Sequence, residues 1–262
     1  MSATRRWQAQ LEAWRIPESI LATAEDSPWV LPRHLFTRRA DMLAGHPEGA
    51  SFPAAWQALE KPGSVLDVGA GAGAASLPLA ARCTTITAVD HDATLLAGFR
   101  ARARELRVTA RTVEGTWPEA AAEAGPADVV VCHHVLYNVP DPAPFVRALT
   151  VAARRLVVVE LAARHPLTAL ADLWRHFHGL DRPDGPAAED ALAVLGELGI
   201  TPAVRRWRRE RSASAGHPDF AALVEVTRRR LCLPRERAGE VAEALRSRPV
   251  PDTDIVTLTW VP

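Results

Sequence analysis

The stretch SVLDVGAGAGAASLPLA, Ser64 to Ala80, reads as a buried strand, a glycine-rich turn and the start of a helix. One residue interrupts its apolar run: Asp67, two positions before Gly69. A two-residue step along a strand returns to the same face, so Asp67 points where Gly69 points, toward the loop. A buried carboxylate without a partner is costly, which predicts a hydrogen-bonding or cationic partner beside it.

The G-A-G-A-G-A run, Gly69 to Ala74, lets the backbone turn sharply and approach a ligand closely, with free N–H groups at the helix start facing it. It also satisfies the G-x-G-x-x-G/A spacing of a nicotinamide dinucleotide site through Gly69, Gly71 and Ala74. Asp90 closes the second strand, where a carboxylate accepts hydrogen bonds from ribose hydroxyls under either reading. Asp67 separates the two. A dinucleotide brings an anionic pyrophosphate toward this loop, whereas S-adenosylmethionine brings an ammonium and a sulfonium. The sign of the charge favours the sulfonium.

Around this core, β-branched runs alternate with alanine- and leucine-rich segments, the pattern of a parallel sheet covered on both faces. Strands are expected at Ser64–Gly69, Thr85–Asp90, Val108–Glu114, Ala127–His133 and Arg154–Leu161. Helices are expected near Ala74–Ala81, Ala93–Leu106 and Pro142–Ala152, the last capped by Asp141. Further on come a helix from Pro166 to His178, another over Ala187–Leu198 ended by Gly199, and a sixth strand near Ile200–Arg209. Helices over Pro218–Arg230 and Pro234–Arg246 and a last strand in DIVTLTWVP complete the chain. Residues 1–62 read as a helical cap, with Ser27 and Pro28 as a helix start, and 63–262 as one α/β domain with a helical insertion at about 217–247.

LDVGAGAG, TAVDHD, RTVEGTWPE and ADVVVCHHVLYNVPDPAPFVRAL resemble, in that order, motifs of the class I S-adenosylmethionine-dependent methyltransferases. The resemblance runs from about Ser64 to the end. It implies a doubly wound, mostly parallel seven-stranded sheet closed by an antiparallel C-terminal hairpin. It implies that Asp67, Gly69, Ala70, Gly71 and Gly73 surround the methionine part of the cofactor, with Asp90 on the ribose and His91 beside adenine. Gly115, Thr116, Trp117 and Cys132 would complete the pocket. Thr116 stands where the family often has an aspartate, so a backbone group would meet the adenine amino group. The expected cofactor is S-adenosylmethionine, with S-adenosylhomocysteine as product.

Ligands of an open parallel sheet gather at the carboxyl ends of its strands. His133 and His134 follow strand four and His165 follows strand five, which makes them candidates for a general base. Cys132 lacks the preceding proline of the family's cysteine-dependent RNA enzymes, and CHHVLYNVPD lacks the Asn/Asp-Pro-Pro-aromatic turn of amino-methylating nucleic-acid enzymes. Asp141 alone is a poor oxygen set for a divalent cation, so no metal is expected. LWRHFHG, Leu173 to Gly179, reads as a lid helix or a substrate wall. Trp29, Arg33, Phe36 and Arg38 of the cap are placed to close over the cofactor.

Basic and acidic residues balance at 31 each, so no net charge draws the chain to nucleic acid or an anionic membrane. The one basic cluster with an aromatic, AVRRWRRERS, reads first as a solvated strand paired with acids such as Glu210. Three scattered cysteines and the lack of a signal peptide or apolar span suit a cytoplasmic chain, a monomer or homodimer. The expected activity is methyl transfer to a small molecule, at oxygen, nitrogen or carbon. The rivals are RNA methylation through Arg205–Arg211, a non-catalytic cofactor-binding module, and a nicotinamide oxidoreductase.

Overall fold

The computed structural model describes residues 1–209, 220–248 and 253–262. Four helices come first: α1 (Ala3–Glu12), α2 (Glu18–Leu21), α3 (Arg33–Gly45) and α4 (Ser51–Ala58). Then follow β1 (Gly63–Val68), β2 (Cys83–Asp90), α5 (Ala93–Glu105), β3 (Ala110–Glu114), α6 (Ala121–Ala124) and β4 (Ala127–His133). After these come α7 (Pro142–Ala152), β5 (Ala153–Ala162), α8 (Ala171–His178), α9 (Ala188–Glu197) and β6 (Ala203–Arg209). The chain closes with α10 (Phe220–Arg230), α11 (Ala238–Arg246) and β7 (Thr253–Trp260).

The seven strands form one sheet in the order β3-β2-β1-β4-β5-β7-β6. β7 is antiparallel to both its neighbours, β5 and β6, and the remaining pairs are parallel. The sequence explains the inversion of the last two strands. Ile255, Val256, Thr257 and Leu258 are a continuous buried run that needs cover on both sides. AVRRWRR alternates charge with little apolar content and takes the exposed edge.

Alternation along the strands sends side chains to two cores. Leu66, Val68, Val130, Cys132, Val157 and Val159 pack with α1, α7 and α9. Val65, Val129, Val131 and Val158 pack on the other face, against α4, α5 and the turn after the glycine loop. Period two therefore places Asp67, His133 and Glu160 on this second face, at its carboxyl end. A separate apolar core joins Ile16 to α8, α10 and α11 through Trp174, Val224, Leu231 and Val241. Arg228, 1% exposed, is tied into it by Asp26, Glu225 and the carbonyl of Leu233.

Several boundaries differ from the sequence expectation. No α-helix spans Ala74–Ala81: turns lead to a 3-10 helix at Leu77–Arg82. Pro78 has no N–H to offer a helix that starts at Ala74, and the segment tightens instead. The stretches Pro166–His178 and Pro234–Arg246 each divide into a 3-10 turn, Pro166–Leu170 or Arg235–Arg237, and a shorter α-helix. The cap helix α3 begins after Pro32, not at Ser27–Pro28, since that second proline interrupts any helix begun earlier. Asp141 holds the N-cap position of α7 but its side chain makes no capping bond. Residues 217–219, expected to open α10, lie outside the described residues, and Glu210 does too.

Candidate active site

The glycine loop joins β1 to the 3-10 turn. Gly69 and Ala70 both donate to the carbonyl of Val89, which fixes the loop across the ends of β1 and β2. Gly69, Gly71 and Gly73 all have positive φ, and a Cβ on Gly69 would fall 2.3 Å from Cγ2 of Val135. These glycines are needed for the turn and for close packing against the segment after β4.

Asp67 is 1% exposed. Its Oδ2 accepts a hydrogen bond from Ser76 Oγ at 2.6 Å, while Oδ1 is buried with no partner. Burial pushes its pKa up to about 7, the Ser76 hydrogen bond works against that, and the nearby charge of Asp90 adds to it. Asp90, at the end of β2, accepts from the Gly71 N–H at 2.7 Å and from the Asp92 N–H at 2.9 Å. Each of its oxygens keeps a lone pair for a further donor. Two carboxylates thus bracket the loop.

α3 lies over this loop. The Phe36 ring sits 3.6 Å from where a Cβ of Gly71 would stand, and Ala40 packs with Ala72 and Leu95. Arg33 pairs with Asp92 at 2.7 Å, and Arg102 of α5 grips Asp41 with two bonds, 2.6 and 3.0 Å. Of the four cap residues singled out by sequence, Arg33 and Phe36 reach the loop region. Trp29 is half exposed and Arg38 is exposed.

The carboxyl ends of β4 and β5 carry a polar cluster. His133 and Glu160 are register partners across the two strands. Glu160, 2% exposed, accepts from Ser51 Oγ at 2.6 Å and lies 3.5 Å from Arg209 and 3.9 Å from Arg39. Nε2 of His134 is 3.3 Å from both Glu160 and Arg39, and His134 adopts φ +59°. Burial opposes the charge on Glu160, but the ring of His133, the bond to His134 and the Ser51 hydroxyl outweigh it and hold the carboxyl below its usual range. Burial pushes His133 down to about 4, which the charge of Glu160 only partly offsets. Nε2 of His133 is buried with no hydrogen-bond partner. It lines a cavity of about 20 Å³ together with Arg39, Ser51, Ala74, Glu160 and Arg209, room for about one water.

His165 stands apart from that pair. It stacks on Trp14 at 4.6 Å, meets the Tyr137 ring edge-on at 5.7 Å, and accepts from the Leu167 N–H through Nδ1. Burial pushes it, too, down to about 4. All three histidines are therefore neutral near pH 7 and can accept a proton, though His133 and His165 only as weak bases.

The remaining sequence candidates divide. His91 is exposed and contacts Asp90 at 3.5 Å, and Gly115 donates its N–H to the carbonyl of Asp90. Thr116 gives its hydroxyl to Glu119. Two candidates point away from the loop. Trp117 is in the α7-side core and donates Nε1–H to the carbonyl of Phe145, an aromatic wedge between sheet and helix. Cys132 is fully buried on that same face, opposite Asp67, as period-two alternation requires, and burial raises its thiol pKa. In LWRHFHG, Trp174 is buried in the lid core and His178 bonds the carbonyl of Leu231. Arg206 pairs with Glu189, Arg208 with Asp254 and Arg209 with Glu48.

Residues 65–157 match a family model described as a methyltransferase domain. Over that stretch the chain is similar to methyltransferase domains, whose class I members its sequence motifs resemble. Its strand order and antiparallel β7 give the fold expected of that class. Among curated relatives, the ubiquinone biosynthesis O-methyltransferase of Cronobacter sakazakii is 42% identical over 85 residues, 32% of this chain and 35% of that one. The chain thus spans about a third of the length of the curated relatives it matches. An S-adenosylmethionine-dependent methyltransferase of Geobacter sulfurreducens, solved with S-adenosylhomocysteine, superposes with TM-score 0.53 at 19% identity, covering 86% of this chain and 98% of that one. Magnesium protoporphyrin IX methyltransferase of Synechocystis, also solved with S-adenosylhomocysteine, gives TM-score 0.53 at 18% identity, over 87% and 83% of the two chains.

Two features of this chain's own domain test the fit to a sulfonium donor. Asp67 Oδ1 is a buried acceptor that calls for a cation or donor. The loop runs into turns and a 3-10 helix, so no α-helix N-terminus receives a pyrophosphate there. Both favour S-adenosylmethionine over a dinucleotide. Among the described residues no group of histidine, cysteine and carboxylate side chains is arranged to hold a metal ion, and no helix is long and apolar enough to cross a membrane.

Proposed function

We propose that this protein transfers the methyl group of S-adenosylmethionine to a small-molecule acceptor. The observation that carries the reading is the half-satisfied Asp67 under the glycine loop, with Asp90 at the next strand end. The donor supplies an electrophilic methyl on a sulfonium. Asp67 with Gly69, Ala70, Gly71 and Gly73 would hold its methionine part, and Asp90 would accept from its ribose.

Orientation supplies much of the rate of an in-line displacement. The Arg33–Asp92 and Arg102–Asp41 pairs fasten the cap helix over the loop. The proton released by the acceptor goes to Nε2 of His133, which has no other partner, and Glu160 next to it stabilises the resulting imidazolium.

The family match over residues 65–157 ends inside β5 and so supports the donor half of the reaction. The O-methyl transfer named for the curated relatives covers a third of their length and leaves the acceptor atom of this chain open. A small acceptor is favoured over RNA because the β6 arginines Arg206, Arg208 and Arg209 are paired with carboxylates. The test is transfer from a methyl-labelled donor to a panel of small hydroxyl, amine and carbon acceptors. Turnover that depends on Asp90 and His133 supports the reading. Tight donor binding with no turnover would favour a non-catalytic module.

A further inference from the structure

The strand AVRRWRR divides by alternation between the two faces of the sheet edge. Arg206 and Arg208 pair with Glu189 and Asp254. Trp207 and Arg209 take the other face, the one that carries Glu160. Trp207 stands opposite Ile255, and Ile255 opposite Ala162, two residues beyond Glu160. The Arg209 guanidinium stacks over the Trp207 ring, 5.1 Å from its centroid. From there it meets two carboxylates, Glu48 at 2.6 Å and Glu160 at 3.5 Å.

Glu48 belongs to the loop between α3 and α4, residues 46–50. The loop presses on Trp207: Gly49 has φ +82°, and a Cβ there would fall 2.3 Å from Cζ2 of the indole. Ser51 follows as the first residue of α4 and donates to Glu160 at 2.6 Å. This segment therefore reaches Glu160 twice, directly through Ser51 and by way of Arg209 through Glu48. In the series Glu48, Arg209, Glu160 the guanidinium separates two like charges. Without it the carboxylates repel across a partly buried gap, and the loop is pushed from the strand ends. Arg39, Glu48, Ser51, His133, Glu160 and Arg209 all line the one cavity of about 20 Å³.

We propose that Arg209 is a positioning residue for the reaction: by bridging Glu48 and Glu160 over the Trp207 ring, it fixes the α3–α4 loop on the strand ends and holds Glu160 beside His133. This rests on the methyl-transfer reading, in which His133 takes the acceptor's proton, and adds what keeps that base in its setting. It also divides the work of AVRRWRR, since Arg206 and Arg208 meet exposed acids while Trp207 and Arg209 close the polar cavity. A guanidinium suits the bridge because its fork sends separate N–H groups to separate carboxylates and its plane rests on the indole. An ammonium acts as a point charge and reproduces only part of this.

The test uses S-adenosylhomocysteine-loaded protein with isotope-labelled histidine, His133 being assigned by the resonances lost in His133→Asn. Two quantities are read in Arg209→Gln: amide hydrogen exchange over residues 46–52, and the pH midpoint of His133 by NMR. Exchange quickens by roughly tenfold or more. The charged groups facing His133 among the described residues are Glu160, His134, Arg39 and Arg209, and this variant removes only the last. Glu160 keeps Ser51 and His134, so the midpoint, about 4 with Arg209 in place, rises by about half a pH unit or more. Adding Glu48→Gln to Arg209→Gln removes the repulsion and restores much of the lost protection, a rescue that general loosening does not give. Arg209→Lys falls between, and is read in the same way should Arg209→Gln not fold. Arg206→Gln, on the opposite face, changes neither quantity. The proposal is overturned if exchange or midpoint is unchanged in Arg209→Gln, if Arg206→Gln has an equal effect, or if the second substitution restores nothing. Failure of the unsubstituted protein to bind S-adenosylhomocysteine would instead refute the methyl-transfer reading itself.

Discussion

The Ser76 hydroxyl satisfies one oxygen of Asp67 at 2.6 Å and leaves the other, equally buried, with nothing. Burial raises the pKa of this carboxyl to about 7, so near neutrality it is divided between its acid and its carboxylate. A cation placed beside Oδ1 favours the carboxylate and expels the proton. Affinity for S-adenosylmethionine should therefore rise between about pH 5.5 and about pH 7.5. Titrations in buffers of different ionisation enthalpy would show proton release on binding, and a flat profile would contradict this role.

The same carboxyl leaves a mark on stability. Its pKa in the folded protein, about 7, stands above the ordinary 3.8, so between those values the folded state holds a proton that the unfolded state has lost. Stability from this group is complete below 3.8 and declines as the pH rises through 7. Asp67→Asn has no such dependence. Urea denaturation should show its advantage over the unsubstituted protein growing from about pH 4 to about pH 8. A constant difference would mean that Asp67 does not titrate in this range.

Glu160 is the buried anion between Arg39, Arg209 and Ser51. Glu160→Gln leaves two guanidinium groups with less negative charge than before. The expected loss is about 3–5 kcal/mol, as for other broken buried pairs, read from chemical denaturation. A loss under about 1 kcal/mol would mean that water already screens the cluster.

Gly69 and Gly196 offer a matched contrast. At Gly69, φ is +71° and a Cβ would strike Val135, so Gly69→Ala should cost more than about 1 kcal/mol. Gly196 lies in α9 with open space around it, and Gly196→Ala should stabilise by about 0.4–1 kcal/mol. Thermal melts of the two variants should move in opposite directions.

For RNA, filter binding at low salt should show no steeply salt-dependent association, because Arg206 and Arg208 are engaged with Glu189 and Asp254. Strong binding lost on Arg206→Ala would reverse that assignment.

The sheet was legible because its strands are continuous apolar runs that break at glycine, proline or aspartate. Ala127–His133 and Pro142–Ala152 coincide with the observed elements. The helix expected at Ala74–Ala81 failed because alanine content outweighed Pro78 in that reading. Of the site, Asp67 and Asp90 were legible, each a carboxylate at the end of an apolar strand. Glu160 carries the same signal in LVVVELA and was passed over, although it gathers the charged cluster. Arg39 and Arg209 could not be linked from one sequence, since tertiary packing alone brings α3 and β6 to Glu160. Trp117 and Cys132 followed the family pattern, but strand alternation and helix packing turn both into the core.

The most direct test of the central claim is calorimetric titration with S-adenosylmethionine, S-adenosylhomocysteine and NADH, on the unsubstituted protein and on Asp90→Ala. The account predicts saturable binding of the first two, its loss in the variant, and no comparable affinity for NADH. Folded protein that binds neither S-adenosyl compound, or binds NADH as tightly, would contradict it.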